Sequence, residues 1–428
     1  MQLSNRQVFL IIIVVATVGL TIFFIFSSLK TDSRGGLDDL QGKKNIKIVV
    51  WGVDPPSAFS AIERSYEAAK KDVSITYVQL DESTIQSQLV NSLALDQGPD
   101  VIMIKNRTLA RQRNFLLPAP PAKVSVSAVG RLFPTVVEQD FVDGGRQVYA
   151  LPLSLDTLAL FYNKSFFDQA RLGSPPRTWT ELIDIIPQLV QKGQGGQINR
   201  AAVGLGGSIK SVTNAGDIVP LLFLQYGLDL SRGDLDKDNT GVKVFDFYTQ
   251  FSNPRSLAYT WSDIQPNDLQ SFANRGSAMV IAYKRQLSQV INQNTFLEYG
   301  TASMPQIGEN RVDYASYWGL AVPKSSKQSA LAWDFVIYAT TNTQSAQAYM
   351  TATKYPPALR SLIQSNLESP EYGVFAKQAL TARSWKSIDD KQTRTIFSDM
   401  ISSYLTGQAD RDTALGRAQS IFYGAVGK

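Results

Sequence analysis

Any chemistry in this chain is done without imidazole or thiol: its 428 residues include no histidine and no cysteine. That removes the commonest general base and metal ligand, thiol nucleophiles, thiolate metal sites and disulfides. Carboxylates, lysine, serine and tyrosine are left. Two runs imitate cofactor motifs. Gly204-Leu205-Gly206-Gly207 ahead of Lys210-Ser211 suggests a phosphate loop, but the glycine before the lysine and the required spacing are missing. Asp234-Leu235-Asp236-Lys237-Asp238-Asn239 opens like a calcium loop. Its sixth position is Asn239 instead of glycine and its twelfth is Phe245 instead of glutamate, so it reads as a solvated turn. Nothing in the sequence fixes two acids opposite each other as a glycosidase needs. The sequence therefore predicts no catalytic residue, no metal and no cofactor. Residues suited to holding a ligand are easier to find. Asp54, just beyond the first apolar strand, can accept hydroxyl protons, although an aspartate before Pro55-Pro56 is equally turn chemistry. Trp318, before Gly319, suits a stacking platform or a core position.

The elements that must position these residues read as α/β. With 44% hydrophobic and 18% charged residues the chain is ordinary globular protein, and its length argues for two domains. The net charge of +5 is mild, and no basic run interleaves with aromatics, which excludes nucleic acid as a partner. Residues 8–29 form a 22-residue stretch without a charge, enough to span a bilayer. Ser27-Ser28 is a poor cleavage site and there is no cysteine to lipidate, so residues 1–30 read as a retained transmembrane anchor and residues 31–44, with Gly35-Gly36, as a tether. Counted literally, Arg6 before the span against Lys30, Arg34, Lys43 and Lys44 after it points the large domain inward, but large domains translocate despite flanking charge. From residue 46 onward, apolar runs at 46–51, 73–80 and 101–104 alternate with helical spacing. Ser83 is placed to cap the second helix. This order predicts a largely parallel sheet, with ligands beyond the strand ends at 52–56, 81–82 and 105–108.

The stretch 148–186 organises the rest. It holds a strand with Pro152, a turn at Ser154-Leu155-Asp156, a second strand at 157–162, and Pro175-Pro176 ahead of Thr178-Trp179-Thr180-Glu181. That last run is a capping box, with Pro187 predicted to kink the helix it starts. "YALP…D…L.YN" followed by "PP.TW.EL" resembles the extracellular solute-binding proteins of ABC importers, in the branch that includes the maltose-binding proteins. Gly98-Pro99-Asp100-Val101, the run 271–281 with Gly276 and Ala278-Met279, the segments 301–305 and 317–324, the helix 330–339 and Tyr355-Pro356-Pro357 extend the resemblance over roughly residues 46–425.

The resemblance implies a two-lobed periplasmic-binding-protein fold of type II-like topology. Lobe 1 is expected over 45–152 with a return segment at about 306–345. Lobe 2 is expected over 156–300 with the C-terminal helices of about 350–428, and chain crossings near 151–157, 299–306 and 343–355. It implies a ligand cleft between the lobes and hinge closure on the solute, in a form that permease subunits recognise. It places the domain outside the membrane. Carried onto this sequence, it marks Asp156 as an acidic sugar contact, Asn106 and Arg107 as polar contacts after the third strand, Tyr283 and Lys284 after the "AM" strand, and Tyr355 at the late turn. Asp54 and Trp318 join this set. Two departures weaken the likeness to maltose recognition: Ile104 stands where an aromatic often ends the strand, and Arg285 stands where the pattern has a tryptophan. The expected function is capture of a sugar or related small polar solute for an ABC permease, without enzymatic turnover. An anchored glycan sensor or adhesion module of the same fold is the alternative. The Arg and Lys candidates also admit an anionic solute.

Overall fold

The computed structural model describes residues 46–95, 97–228, 230, 233–291, 297–385 and 390–425. The expected anchor (1–30) and tether (31–44) lie outside these residues. Among the described residues no helix is long and apolar enough to cross a membrane.

The chain opens with β1 (Ile46–Gly52), β2 (Val73–Gln79) and β3 (Val101–Lys105), joined by helices Ser60–Ala69 and Ile85–Ala94. β1 pairs in parallel with both neighbours. Such strands are covered on both faces, so β3 is buried along Val101 to Ile104 and only its last residue, Lys105, reaches an edge of the core. β4 (Leu116–Leu117) and β5 (Ala150–Pro152) follow. β6 (Asp156–Thr157) then leads into a second sheet built from β7 (Ala159–Asn163), β8 (Gln191–Lys192), β9 (Ile198–Val203), β10 (Ser277–Ala282) and β11 (Tyr299–Ala302), ordered β11-β7-β10-β9-β8. The chain returns through β12 (Asp313–Ser316) to β13 (Trp318–Pro323) and later leaves again through β14 (Ala382–Arg383). β13, buried throughout, runs antiparallel to β3, β4 and β5 and completes the first sheet. Two lobes result, each with its own apolar core.

β14, β12 and β6 pair side by side in a small three-stranded sheet that carries the connections between lobes. Buried Gln378 fastens it, donating to Thr157 Oγ1 (2.7 Å) and Leu158 O (2.9 Å) and accepting from Met304 N (2.8 Å). The crossings thus fall at 156–157, 313–316 and 382–383; those expected at 299–306 and 343–355 are displaced. The reason is packing. Residues 299–302 remain in the second sheet against β7, and the Thr343–Thr353 and Arg360–Ser365 helices bury Ala346, Tyr349, Leu362 and Ile363 in the first core. The last helices, Asp390–Leu405 and Arg411–Ala425, join the second lobe, where Ile396, Phe397, Ile401 and Phe422 enter its core, and Phe375 of the helix Gly373–Thr381 packs on its sheet beside Phe161 and Val280.

Local signals behave largely as their chemistry dictates. Thr178 Oγ1 accepts from Glu181 N at 3.1 Å and caps the helix Trp179–Leu189. The Glu181 carboxylate reaches Arg177 N at 2.7 Å instead of the cap's own amide. Pro187 does not break this helix, which ends two residues later at Leu189. Ser83 does not cap; it donates to Asp81 in the turn before the helix.

Gly319 sits mid-sheet on β13, opposite Ile104 and Pro152. A Cβ there would lie 2.6 Å from the Phe141 ring and 3.0 Å from Ala150 Cβ. Gly319→Val is expected to destabilise the chain by about 1–3 kcal/mol through overpacking, read as a lower urea midpoint at unchanged slope.

Candidate functional site

The turn after β2, the end of β3, the end of β10 and the start of β13 converge on one place. From the first lobe come Glu82 and Lys105. From the second come Tyr283 and Arg285, at the exit of β10 and the start of the helix Lys284–Ile291. A cavity of about 140 Å³ lies among Ser154, Asp156, Tyr283, Arg285, Trp318 and Tyr355. It shares the walls Glu82, Lys105, Trp318 and Arg394 with a larger cavity of about 660 Å³ that extends to Gln86, Arg111 and Gln112. Both lobes contribute to each.

Asp156 is buried, and its two oxygens face three backbone amides. Oδ1 accepts from Thr157 N (2.9 Å) and Lys284 N (3.2 Å), and Oδ2 accepts from Arg285 N (2.9 Å). A hinge carboxylate thus covers the first turn of a helix that begins 128 residues later, where the helix's free N–H groups and dipole favour negative charge. Burial nevertheless raises its carboxyl to about 6, against the lowering by these amides. Its first role is to seat Arg285, whose guanidinium reaches Asp54 of the other lobe at 3.2 Å and lies 5.3 Å over the Tyr355 ring. Asp54 is fully buried, accepts the Tyr349 hydroxyl, and so stands behind Arg285 instead of facing the cavity.

A second bridge is deeper. Asp217 lies in the helix Ala215–Gln225, whose residues 215–223 are all buried. It accepts from Arg107 Nη1 of the first lobe (2.9 Å) and from Tyr283 Oη (2.9 Å), with Arg394 Nη1 at 3.5 Å. Arg107 also donates to Tyr314 Oη on β12 (2.6 Å), tying this bridge to the hinge sheet. Burial alone would raise the Asp217 carboxyl, but Arg107 and Arg394 outweigh it and hold the group below the usual carboxylate range. Gly216 eases the arrangement: a Cβ there would lie 3.1 Å from Arg394 Cα, so a larger residue would push the helix Asp390–Leu405 back by a few tenths of an ångström.

Of the eight residues expected at the site, Asp156, Tyr283, Trp318 and Tyr355 line the cavity, while Asp54 and Arg107 stand behind its walls. Asn106 does not face it. Its amide donates to Asp140 (2.9 Å) and accepts from Tyr317 N (3.2 Å), a fully buried tie inside the first lobe. Lys284 turns away to Glu371 (3.2 Å), over the Tyr372 ring. Glu82, Lys105, Arg394, Gln112 and Asp217 were not on that list. The rule that ligands gather at strand ends marks Glu82 and Lys105, whereas Asp217 sits in an apolar run with no local signal. The arrangement can hold a polar solute between charged walls and aromatic faces. Among the described residues no group of three or more acidic side chains is placed for a metal ion.

Two α/β lobes, a three-stranded hinge sheet and a cavity walled by both lobes define a solute-binding protein. Residues 54–346 match the profile of the family described as bacterial extracellular solute-binding protein, and the chain belongs to that family. A Brucella abortus protein, named provisionally as a binding protein, is 21% identical over 143 residues, covering 33% of this chain and 34% of that one. The chain thus spans about a third of the length of that curated relative. The maltotriose-binding protein of Pyrococcus abyssi is 22% identical over 331 residues, 74% of this chain and 67% of that one. Among solved structures, the sugar-binding protein MalE of Xanthomonas citri superposes with a TM-score of 0.74 at 18% identity, over 89% of this chain and 97% of that one. That likeness is one of fold.

Two outcomes test this geometry. Asp217→Asn leaves Arg107, only 2% exposed, without its carboxylate, and is expected to cost about 3–5 kcal/mol in denaturant unfolding. Asp156 binds its proton more tightly folded than unfolded, so its contribution to stability is full below about pH 4 and lost as pH rises through about 6. Relative to Asp156→Asn, the unsubstituted chain should lose stability across that window. Parallel melting curves at the two pH limits would refute the assignment.

Proposed function

We propose that this protein is an extracytoplasmic carrier that captures a carbohydrate in the interlobe cavity and hands it to an ABC permease, held at the membrane by residues 8–29. The observation that carries the reading is a pair of adjoining cavities walled by both lobes, with Trp318, Tyr355 and Tyr283 set among Glu82, Lys105 and Arg394. Sugars offer hydroxyls to charged and amide groups and apolar ring faces to aromatics, and such a mixture of walls suits them. Family membership and the sugars named for the maltotriose-binding and MalE relatives support the same solute class. Rotation about the hinge sheet closes the lobes over the solute. The solute shifts the balance only by binding the closed form more tightly than the open one. In this reading the solute is bound and released with no bond made or broken.

Thermal melts of the full chain in mild detergent, with mono- and oligosaccharides, test this. A sugar at about 100 times its dissociation constant adds about 2.7 kcal/mol to the native state, a rise of a few degrees for a chain of this size. The same sugar should lose most of that shift on Trp318→Ala. No shift from any sugar would sink the carbohydrate reading.

A further inference from the structure

Two of the aromatic faces on the cavity, those of Trp318 and Tyr355, already carry a cation. Lys105 Nζ lies 5.1 Å from the centre of the Trp318 ring, and Arg285 Cζ lies 5.3 Å from that of Tyr355. A neutral sugar gains by laying its apolar face on bare rings, whereas these rings present an ammonium and a guanidinium instead. The carboxylates that hold the cations compete poorly for what enters the cavity. Asp54 is fully buried behind Arg285, and Glu82, 55% exposed, meets Lys105 only at 3.4 Å. Asp156, the other acid on the wall, has its oxygens turned onto three backbone amides.

Across the two cavities the charged walls are Lys105, Arg111, Arg285 and Arg394 against Glu82 and Asp156. Behind them, Asp54 and Asp217 against Arg107 still leave the excess positive. One hydrogen-bond donor points the same way: Trp318 Nε1–H, on a residue only 7% exposed that lines both cavities, has no acceptor among the described residues. An unmatched buried donor costs free energy that an incoming acceptor recovers.

We propose that the solute carries an acidic group, a carboxylate, sulfate or phosphate borne on a sugar, and that Lys105 and Arg285 hold it with the Trp318 indole. This rests on the carbohydrate reading and narrows it. Arg285 keeps its contact to Asp54 and offers its remaining N–H groups. Lys105 exchanges Glu82 for the solute. The cations are in place before the solute arrives, so little ordering is needed on binding.

Calorimetric titration of the full chain in detergent at low salt, with matched pairs, tests the proposal: digalacturonate against its neutral galactose dimer, and glucose 6-phosphate against glucose. At least one acid should bind about tenfold or more tightly than its neutral partner, with the advantage shrinking as salt rises. Lys105→Met should remove most of that advantage. Glu82→Gln, which removes the competing carboxylate, should widen the preference for the acid over its neutral partner. Neutral sugars binding as tightly as their acidic partners would overturn the proposal and leave the carbohydrate reading standing. If no sugar of either series binds, the carbohydrate reading fails, and inorganic phosphate and sulfate decide the rest. Binding that Lys105→Met abolishes keeps the acid-binding assignment; no binding overturns it.

Discussion

A carboxylate wholly withdrawn from water can stay ionised only if cations come to it, and Asp217 has arranged the molecule around that requirement. Arg107 reaches it from the first lobe, Tyr283 and Arg394 from the second, and Arg107 continues to Tyr314 on the hinge strand. Such a cluster gains little net stability, because desolvation consumes most of the attraction. What it gains is register. A shift of one lobe against the other would strand a buried guanidinium, so the bridge tolerates few arrangements. The helix glycine at 216 and the proximity of the Asp390–Leu405 helix are consequences of the same demand.

The cavity inherits its character from this framework. Asp156 opens its own short strand and caps the first turn of a distant helix, and in doing so it aims Arg285 across the interface at Asp54. The ligand-facing wall is therefore built by residues whose main contacts are to other protein groups. On the cavity side those contacts leave the Arg285 and Lys105 side chains, together with an indole N–H that has no acceptor among the described residues.

Much of the fold was legible because it rests on local rules. Buried parallel strands read as continuous apolar runs, as at 101–104, and a capping threonine announces its helix at 178. The site was legible only in part. Asp156 stands out as an acid at a strand crossing, but two of its three amide partners lie 128 and 129 residues away, which no local pattern reveals. Asn106 carries the right functional groups in the right loop, yet buried Asp140 and Tyr317 use them. Asp217 was hidden by its apolar neighbours. Arg285 was visible as a departure from the related pattern; its meaning needed the opposite lobe. The hinge positions slipped for a similar reason, since short strands such as 382–383 have no periodicity to detect.

The place of β13 in the first sheet bears on how the chain is made. This strand is late in the sequence, yet it pairs with β3, β4 and β5 at once. The second lobe likewise waits for the helices after residue 390 to close its core. Neither half can finish folding while the ribosome is still extending the chain towards Pro323. The entropy of closing these long loops falls due before their contacts form, which slows folding further. A nascent chain held open in this way remains threadable, a convenient state for a polypeptide whose family works on the far side of a membrane.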